Sequence, residues 1–257
     1  MRLYTAPIIN NSVLRPGVHL LEIHLPQLAQ AVQPGQYCML RCCHPTANDP
    51  LLRRPFFVHS VQRSQGLCTF LVHVRGRGTA WLADQNAGAT LDILGPMGHG
   101  WEIRSTVRNL LLVSEGDTIA ALLLLAQSAI EQELVVTLVG QFATATDVYP
   151  PALLSPEIEY HIVTTDGSQG QAGQIANILG AYLPWADAAC LSVSHETSTS
   201  LYNQYERLRT KHFAQGTILL PLVCGNGVCL TCSVETHAGT RLICRDGPVF
   251  TLHDITR

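Results

Sequence analysis

Lysine is almost missing from this chain of 257 residues: Lys211 is the one lysine among sixteen basic side chains. Nineteen acidic residues bring the formal net charge to −3. The basic excess of a nucleic-acid-binding surface is therefore lacking, and no nucleic-acid partner is expected. Long apolar runs are lacking too. The most apolar stretch, residues 119–126, falls far short of the roughly 20 residues that cross a bilayer, so no membrane span is expected. The first ten residues do not follow the charged-then-apolar pattern of a secretory leader, and there is no low-complexity tract. These absences predict a soluble, cytoplasmic protein. Its hydrophobic content of 47% is enough to fill the cores of two domains and a small module.

Cysteine, by contrast, is plentiful, with nine residues. In a reducing compartment they do not form a disulfide framework. Cys38, Cys42, Cys43, Cys68 and Cys190 lie in apolar surroundings and read as small core hydrophobes. The other four are Cys224, Cys229, Cys232 and Cys244. Three of them follow the order C-x4-C-x2-C, the plant-type spacing for a [2Fe–2S] cluster. Gly225 and Gly227 permit the positive φ angles of a tightly wrapped loop. A strand over 233–236, a turn over 237–239 and a return strand over 240–244 would bring Cys244 back to that loop. A zinc site is the competing reading, although zinc usually takes two C-x2-C knuckles. Thiols without a metal are another.

From residue 1 to 103 the pattern is of short strands broken by turn residues, with segments at 18–25, 36–42, 56–61, 68–74 and 90–94. A short insert follows at 26–31, and a helix is expected over 79–85. This predicts an antiparallel β-barrel. Two stretches carry chemistry. In Arg53-Arg54-Pro55-Phe56-Phe57, planar guanidinium groups match phosphate oxygens. In Leu71-Val72-His73-Val74-Arg75-Gly76-Arg77-Gly78-Thr79, a strand runs into a glycine turn and a helix start, where backbone N–H groups favour an anion. Either stretch alone also reads as a solvated turn.

From 104 to 213 strands alternate with helices, the mark of a parallel sheet covered on both faces. Strands are expected at 109–114, 134–140, 159–164 and 188–194, with helices at 119–133, 173–183 and 200–209. Residues 214–257 form the cysteine module.

Arg54-Pro55-Phe56-Phe57, Gly76-Arg77-Gly78-Thr79 and Gly95-Pro96-Met97-Gly98 resemble the FAD-binding pattern of the ferredoxin-reductase superfamily. With the cysteine module added, the whole chain resembles the iron–sulfur electron-transfer subunits of dihydroorotate dehydrogenase. That resemblance implies FAD against Arg54 to Phe57 and Leu71 to His73, with Gly78 and Thr79 on its phosphates. It implies a [2Fe–2S] cluster on the four cysteines; no acid–base residue in the sequence stands out as catalytic. The implied partner is an FMN-containing catalytic subunit that oxidises dihydroorotate in pyrimidine biosynthesis, in a heterotetramer of two of each, with NAD as acceptor. A differently partnered ferredoxin or hydrogenase-type reductase subunit carries the same modules and is the alternative.

Two departures matter. The family has Ser or Thr where Phe57 stands, which removes a hydroxyl hydrogen bond of about 0.5–1.5 kcal/mol and weakens FAD binding without abolishing it. The family's glycine-rich turn after the first strand of the middle domain is here Ser114-Glu115-Gly116-Asp117-Thr118, and its later C-G-P turn is Ser192-Val193-Ser194-His195-Glu196. Carboxylates beside a phosphate are unfavourable. Weak or absent NAD binding is therefore expected, with an unusual NADH site as the competing reading. The loop from Thr165 to Gly173 keeps the family pattern.

Overall fold

The computed structural model describes residues 1–256. Its N-terminal sheet has seven strands: β1 (Arg2–Arg15), β2 (Val18–His24), β3 (Tyr37–Leu40), β4 (Arg54–Phe57), β5 (Ser60–Gln62), β6 (Leu67–His73) and β7 (Thr90–Met97). They lie in the order β4-β3-β7-β1-β2-β6-β5, and every pairing is antiparallel. The sheet curls into a half-barrel, so that β4 approaches β6. Alternation along the strands turns Ile8, Leu21, Ile23, Phe70 and Ile93 into one core. The insert expected at 26–31 is a short helix, α1 (Pro26–Ala31), which begins on its proline. The next helix, α2 (Arg77–Ala83), starts in the glycine turn that follows β6.

The longest strand, β1, has no counterpart among the expected segments. Its burial explains why: only Ala6 and Ile8 are fully inside, so it carries almost no apolar alternation. Two register irregularities, between Ile8 and Asn10 and between Val13 and Arg15, bend it along the barrel.

The middle sheet is built from β8 (Asn109–Glu115), α3 (Ala120–Glu131), β9 (Val135–Phe142), β10 (Ile158–Thr164), β11 (Gln171–Ala172), α4 (Leu179–Tyr182), β12 (Ala188–Ser192), α5 (His195–Gln204), α6 (Glu206–Arg209) and β13 (Ala214–Thr217). Strand order is β11-β10-β9-β8-β12-β13, parallel throughout. Apolar clusters cover both faces. Two expected helices differ in detail. The segment 173–183 is broken into a 3-10 turn, Ile175–Asn177, and the four-residue α4. Within α4, a Cβ on Gly180 would meet the Tyr205 ring at 3.0 Å. The segment 200–209 begins earlier, at His195, because Ser194 caps it: its Oγ accepts the Thr197 N–H at 3.1 Å.

The cysteine module leaves this sheet and returns to it. After β13 come the hairpin β14 (Ser233–Thr236) and β15 (Gly239–Leu242), then α7 (Ile243–Asp246), β16 (Val249–Thr251) and α8 (Leu252–Ile255). Residues 214–217, expected in the module, form a strand of the parallel sheet, and β16 pairs antiparallel with it at Gly216↔Phe250 and Thr217↔Val249. Among the described residues no helix is long and apolar enough to cross a membrane.

Candidate functional site

A cavity of about 620 Å³ opens where β4, the end of β6, the start of α2 and the turn after β8 converge. Arg54, Pro55, Phe56, Phe57, Leu71, His73, Gly78 and Thr79 all line it. Val72 does not. Adjacent residues of a strand face opposite sides, and the Val72 side chain is fully buried in the barrel core. Arg53 also turns away, with Nη2 donating to Asp92 Oδ1 at 2.9 Å. Arg54 stays at the cavity, its guanidinium steadied by the Leu52 carbonyl at 2.7 Å.

The glycine turn has an internal lock. Thr79 Oγ1 accepts the N–H groups of Arg75 at 2.8 Å and Gly76 at 3.1 Å, so the hydroxyl shapes the loop. Gly78 is required by packing, since a Cβ there would lie 2.9 Å from Cys42 Cβ. Arg75 and Arg77 add two guanidinium groups to the lining. Three arginines beside proline, leucine and two phenylalanines suit a flat ring joined to an anionic pyrophosphate. The residues present thus fit FAD. Asp117 also lines this cavity, and its two carboxylate oxygens accept from Arg15 and His73. Neither Arg15 nor its pairing was foreseen from the sequence, because the partners come from strands far away along the chain.

The four expected cysteines come together beside this cavity. The Cys229 N–H donates to Cys224 Sγ at 3.5 Å, and Cys232 and Cys244 are packed in one buried apolar cluster. Among the described residues no three cysteine, histidine or carboxylate side chains surround one ion position. Four cysteines on a loop whose backbone N–H groups point at their sulfurs fit a cluster of two irons. The backbone is shaped to the task. Gly225, Gly227 and Leu230 all have positive φ, of 71°, 81° and 57°, and Leu230 is a strained exception among them. Gly227 N–H donates to Cys244 Sγ at 3.1 Å. Burial opposes the Cys224 thiolate, but N–H groups of Cys229, Asn226 and Val228 outweigh it and bring the thiol down to about 6. Burial and the neighbouring Cys232 push Cys244 up to about 12.

Tyr37 joins the two places. It is fully buried and lines, with Pro55, Phe57, Leu219, Leu220 and Ile243, an apolar gap between them. Its hydroxyl donates to the Cys244 carbonyl at 3.1 Å. A second clamp holds the module to the barrel: His99 N–H donates to the Gly247 carbonyl at 2.6 Å.

A further cavity, of about 570 Å³, lies beyond the carboxyl ends of β8, β12 and β13. Its walls include Val193, Ile218, Leu219 and Ile255, with the carboxylates Glu115 and Glu235. The Glu115 carboxylate accepts the Ser194 N–H at 2.7 Å and the Thr197 hydroxyl. Thr118 Oγ1 donates to the Ser192 carbonyl. Thus Glu115 and Asp117, two residues apart, face different cavities.

Residues 221–256 match the family model for the iron–sulfur cluster binding domain of dihydroorotate dehydrogenase B. The chain is 30% identical over 227 residues to the dihydroorotate dehydrogenase B (NAD(+)) electron transfer subunit of Geobacillus kaustophilus, covering 85% of this chain and 84% of the relative. It is 27% identical over 256 residues to the protein of that name from Desulforamulus reducens, covering 97% and 96%. Among solved structures, it superposes on a chain of an NADH-dependent reduced ferredoxin–NADP oxidoreductase with a TM-score of 0.83 and 23% identity, covering 97% of this chain and 88% of that one. A ferredoxin NADP+ reductase from Neisseria gonorrhoeae, solved with FAD and NADP bound, gives a TM-score of 0.63 at 17% identity, covering 79% and 90%. These last two likenesses establish the fold.

Proposed function

The chain belongs to the family of dihydroorotate dehydrogenase B electron transfer subunits, and from that premise we propose that it carries electrons between FMN on a catalytic partner, a [2Fe–2S] cluster held by Cys224, Cys229, Cys232 and Cys244, and FAD in the barrel cavity. When bound, FAD exchanges electrons in pairs or singly and the cluster singly, so together they join a two-electron carrier to a one-electron carrier. The observation that carries this reading is the adjacency of the two sites across Tyr37, Pro55 and Phe57.

The chain's own residues set up the arrangement. Arg54, Arg75 and Arg77 supply charge for a pyrophosphate, and Phe57 replaces a hydroxyl contact with aromatic surface beside Phe56. The apolar gap lined by Leu219, Leu220 and Ile243 keeps water out of the space between flavin and cluster, which lowers the local dielectric. N–H groups aimed at Cys224 and Cys244 sulfurs stabilise thiolate charge. The exposed side chains Val228, at 77% accessibility, and Leu230, at 60%, ring the cluster loop and supply an apolar face for the FMN subunit, in an assembly of two copies of each.

The test is anaerobic reconstitution. The purified chain is expected to hold one FAD and two irons with two sulfides, and to pass electrons from dihydroorotate only when the FMN subunit is added. Flavin and iron present, with no response to that subunit but rapid reduction of a ferredoxin, would favour a differently partnered reductase. Absence of flavin after reconstitution would sink the reading.

A further inference from the structure

The parallel sheet reverses its order between β8 and β12, and such a reversal opens the crevice in which these folds take a ligand. Dinucleotide-binding sheets leave the turn after the first strand bare, so that N–H groups at a helix start meet a phosphate. In this chain the same ground is taken by its own side chains. The Glu115 carboxylate crosses from β8 to the start of α5, where it accepts the Ser194 N–H at 2.7 Å and the Thr197 hydroxyl. The Ser194 hydroxyl in turn accepts from the Thr197 N–H at 3.1 Å, so these groups at the start of α5 are already paired. Thr118 ties the turn to the Ser192 carbonyl, a second link between the two strand ends.

Charge points the same way. The cavity beyond these contacts is lined by two carboxylates, Glu115 and Glu235, with the imidazole of His195 and no arginine or lysine among the described residues. Asp117, the other acid in the turn, is engaged by Arg15 and His73 on the flavin side. A pyrophosphate entering the crevice would face an anion where the fold ordinarily offers donors.

We propose that Glu115 is a built-in anion standing where a dinucleotide phosphate would sit, and that this chain excludes NAD(H) and NADP(H) from its α/β domain. The residues do not fit the acceptor printed in its relatives' name. Glu115 is thus the specificity-determining residue, and the middle domain serves as a scaffold that holds barrel and cluster module in register. This inference deepens the electron-relay reading, but nucleotide affinity can be measured whether or not that reading holds.

The experiment is calorimetric titration of the purified holoprotein with NADH and with NADPH, beside Glu115→Gly and Glu115→Gln variants. Wild type is expected to give no saturable binding below about 1 mM, the upper end of ordinary enzyme–substrate affinities. Glu115→Gly, with flavin content and melting temperature preserved, is expected to bind at least about 10-fold more tightly than wild type, equivalent to about 1.4 kcal/mol. If the glycine variant does not fold, Glu115→Gln, which keeps the side chain's bulk and drops its charge, is expected to shift affinity in the same direction. Micromolar binding of either nucleotide by wild type would overturn the proposal. So would variants that fold and bind no better than wild type. Reconstituted protein that holds no flavin yet excludes NADH would count against the relay and support this inference.

Discussion

The phenol of Tyr37 donates to the carbonyl of Cys244 at 3.1 Å, so a barrel strand holds the backbone of the last of the four cysteines. Burial, and then the nearby cysteine sulfurs, keep that phenol protonated well above its ordinary range, so it acts as a donor at any working pH. Tyr37→Phe should keep the ring and lose the bond. Its expected cost is about 1 kcal/mol of stability, with faster loss of cluster absorbance on dilution into chelator. Equal cluster lifetimes in the two proteins would remove Tyr37 from this role.

Replacing one thiolate separates the two sites. Cys229, the exposed member of the four, does not line the barrel cavity. Cys229→Ser should abolish cluster absorbance and the paramagnetic signal of the reduced cluster while leaving FAD content near one per chain. Retention of the cluster signal would show that Cys229 is not a ligand.

Gly98 is pinned from two directions. Its φ is +77°, and an added Cβ would lie 2.5 Å from the Gly247 carbonyl oxygen, at the clamp between barrel and module. Gly17 has a similar φ of +74° with nothing within 4 Å of an added Cβ. Gly17→Ala should cost about 1–2 kcal/mol of backbone strain. Gly98→Ala should cost that and roughly 1–3 kcal/mol more for the clash. Urea unfolding of both variants measures the difference, which would vanish if the clamp were loose.

His59 ties the half-barrel to the middle domain, with Nε2 2.8 Å from the Tyr149 hydroxyl. Burial lowers its pKa from 6.5 to about 4. Protonation therefore favours the unfolded chain: the stability gained by keeping this ring neutral is complete above pH 6.5 and is lost as pH falls towards 4. The loss should reach about 3 kcal/mol over that window. Chemical denaturation at several pH values, compared with His59→Gln, isolates the contribution. An identical pH slope in the variant would assign it to other groups.

What could be read in advance was whatever lies close together along the chain. The cysteine spacing, the Arg54–Phe57 strand and the Gly76–Thr79 turn each encode a contact set within a few residues; the last two line the barrel cavity, and the first draws backbone N–H groups onto sulfur. A motif names a segment, whereas alternation decides which of its side chains face the cavity, and that of Val72 faces the barrel core. β1 escaped notice because its outward residues include Leu3, Ile9 and Val13, which blur the pattern that Ala6 and Ile8 would otherwise set. Least legible were the partners of the two carboxylates in the altered turn. Glu115 reaches Ser194 and Asp117 reaches Arg15 and His73, pairings fixed only once two sheets and a helix have packed together. The change from glycine to acid was visible in the sequence, but the object each acid touches was not.

The cysteine module begins after Thr217 and ends before Val249, two residues that face each other on adjacent strands. In topological terms it is a graft whose stem is a ladder of three rungs between two strands. Cutting it out and joining the two strands with a short turn would leave every other strand with its neighbours. The barrel and the α/β domain would then form a plain flavin-binding pair. A relay subunit and a cluster-free flavoprotein are therefore separated, in this architecture, by one insertion at one edge.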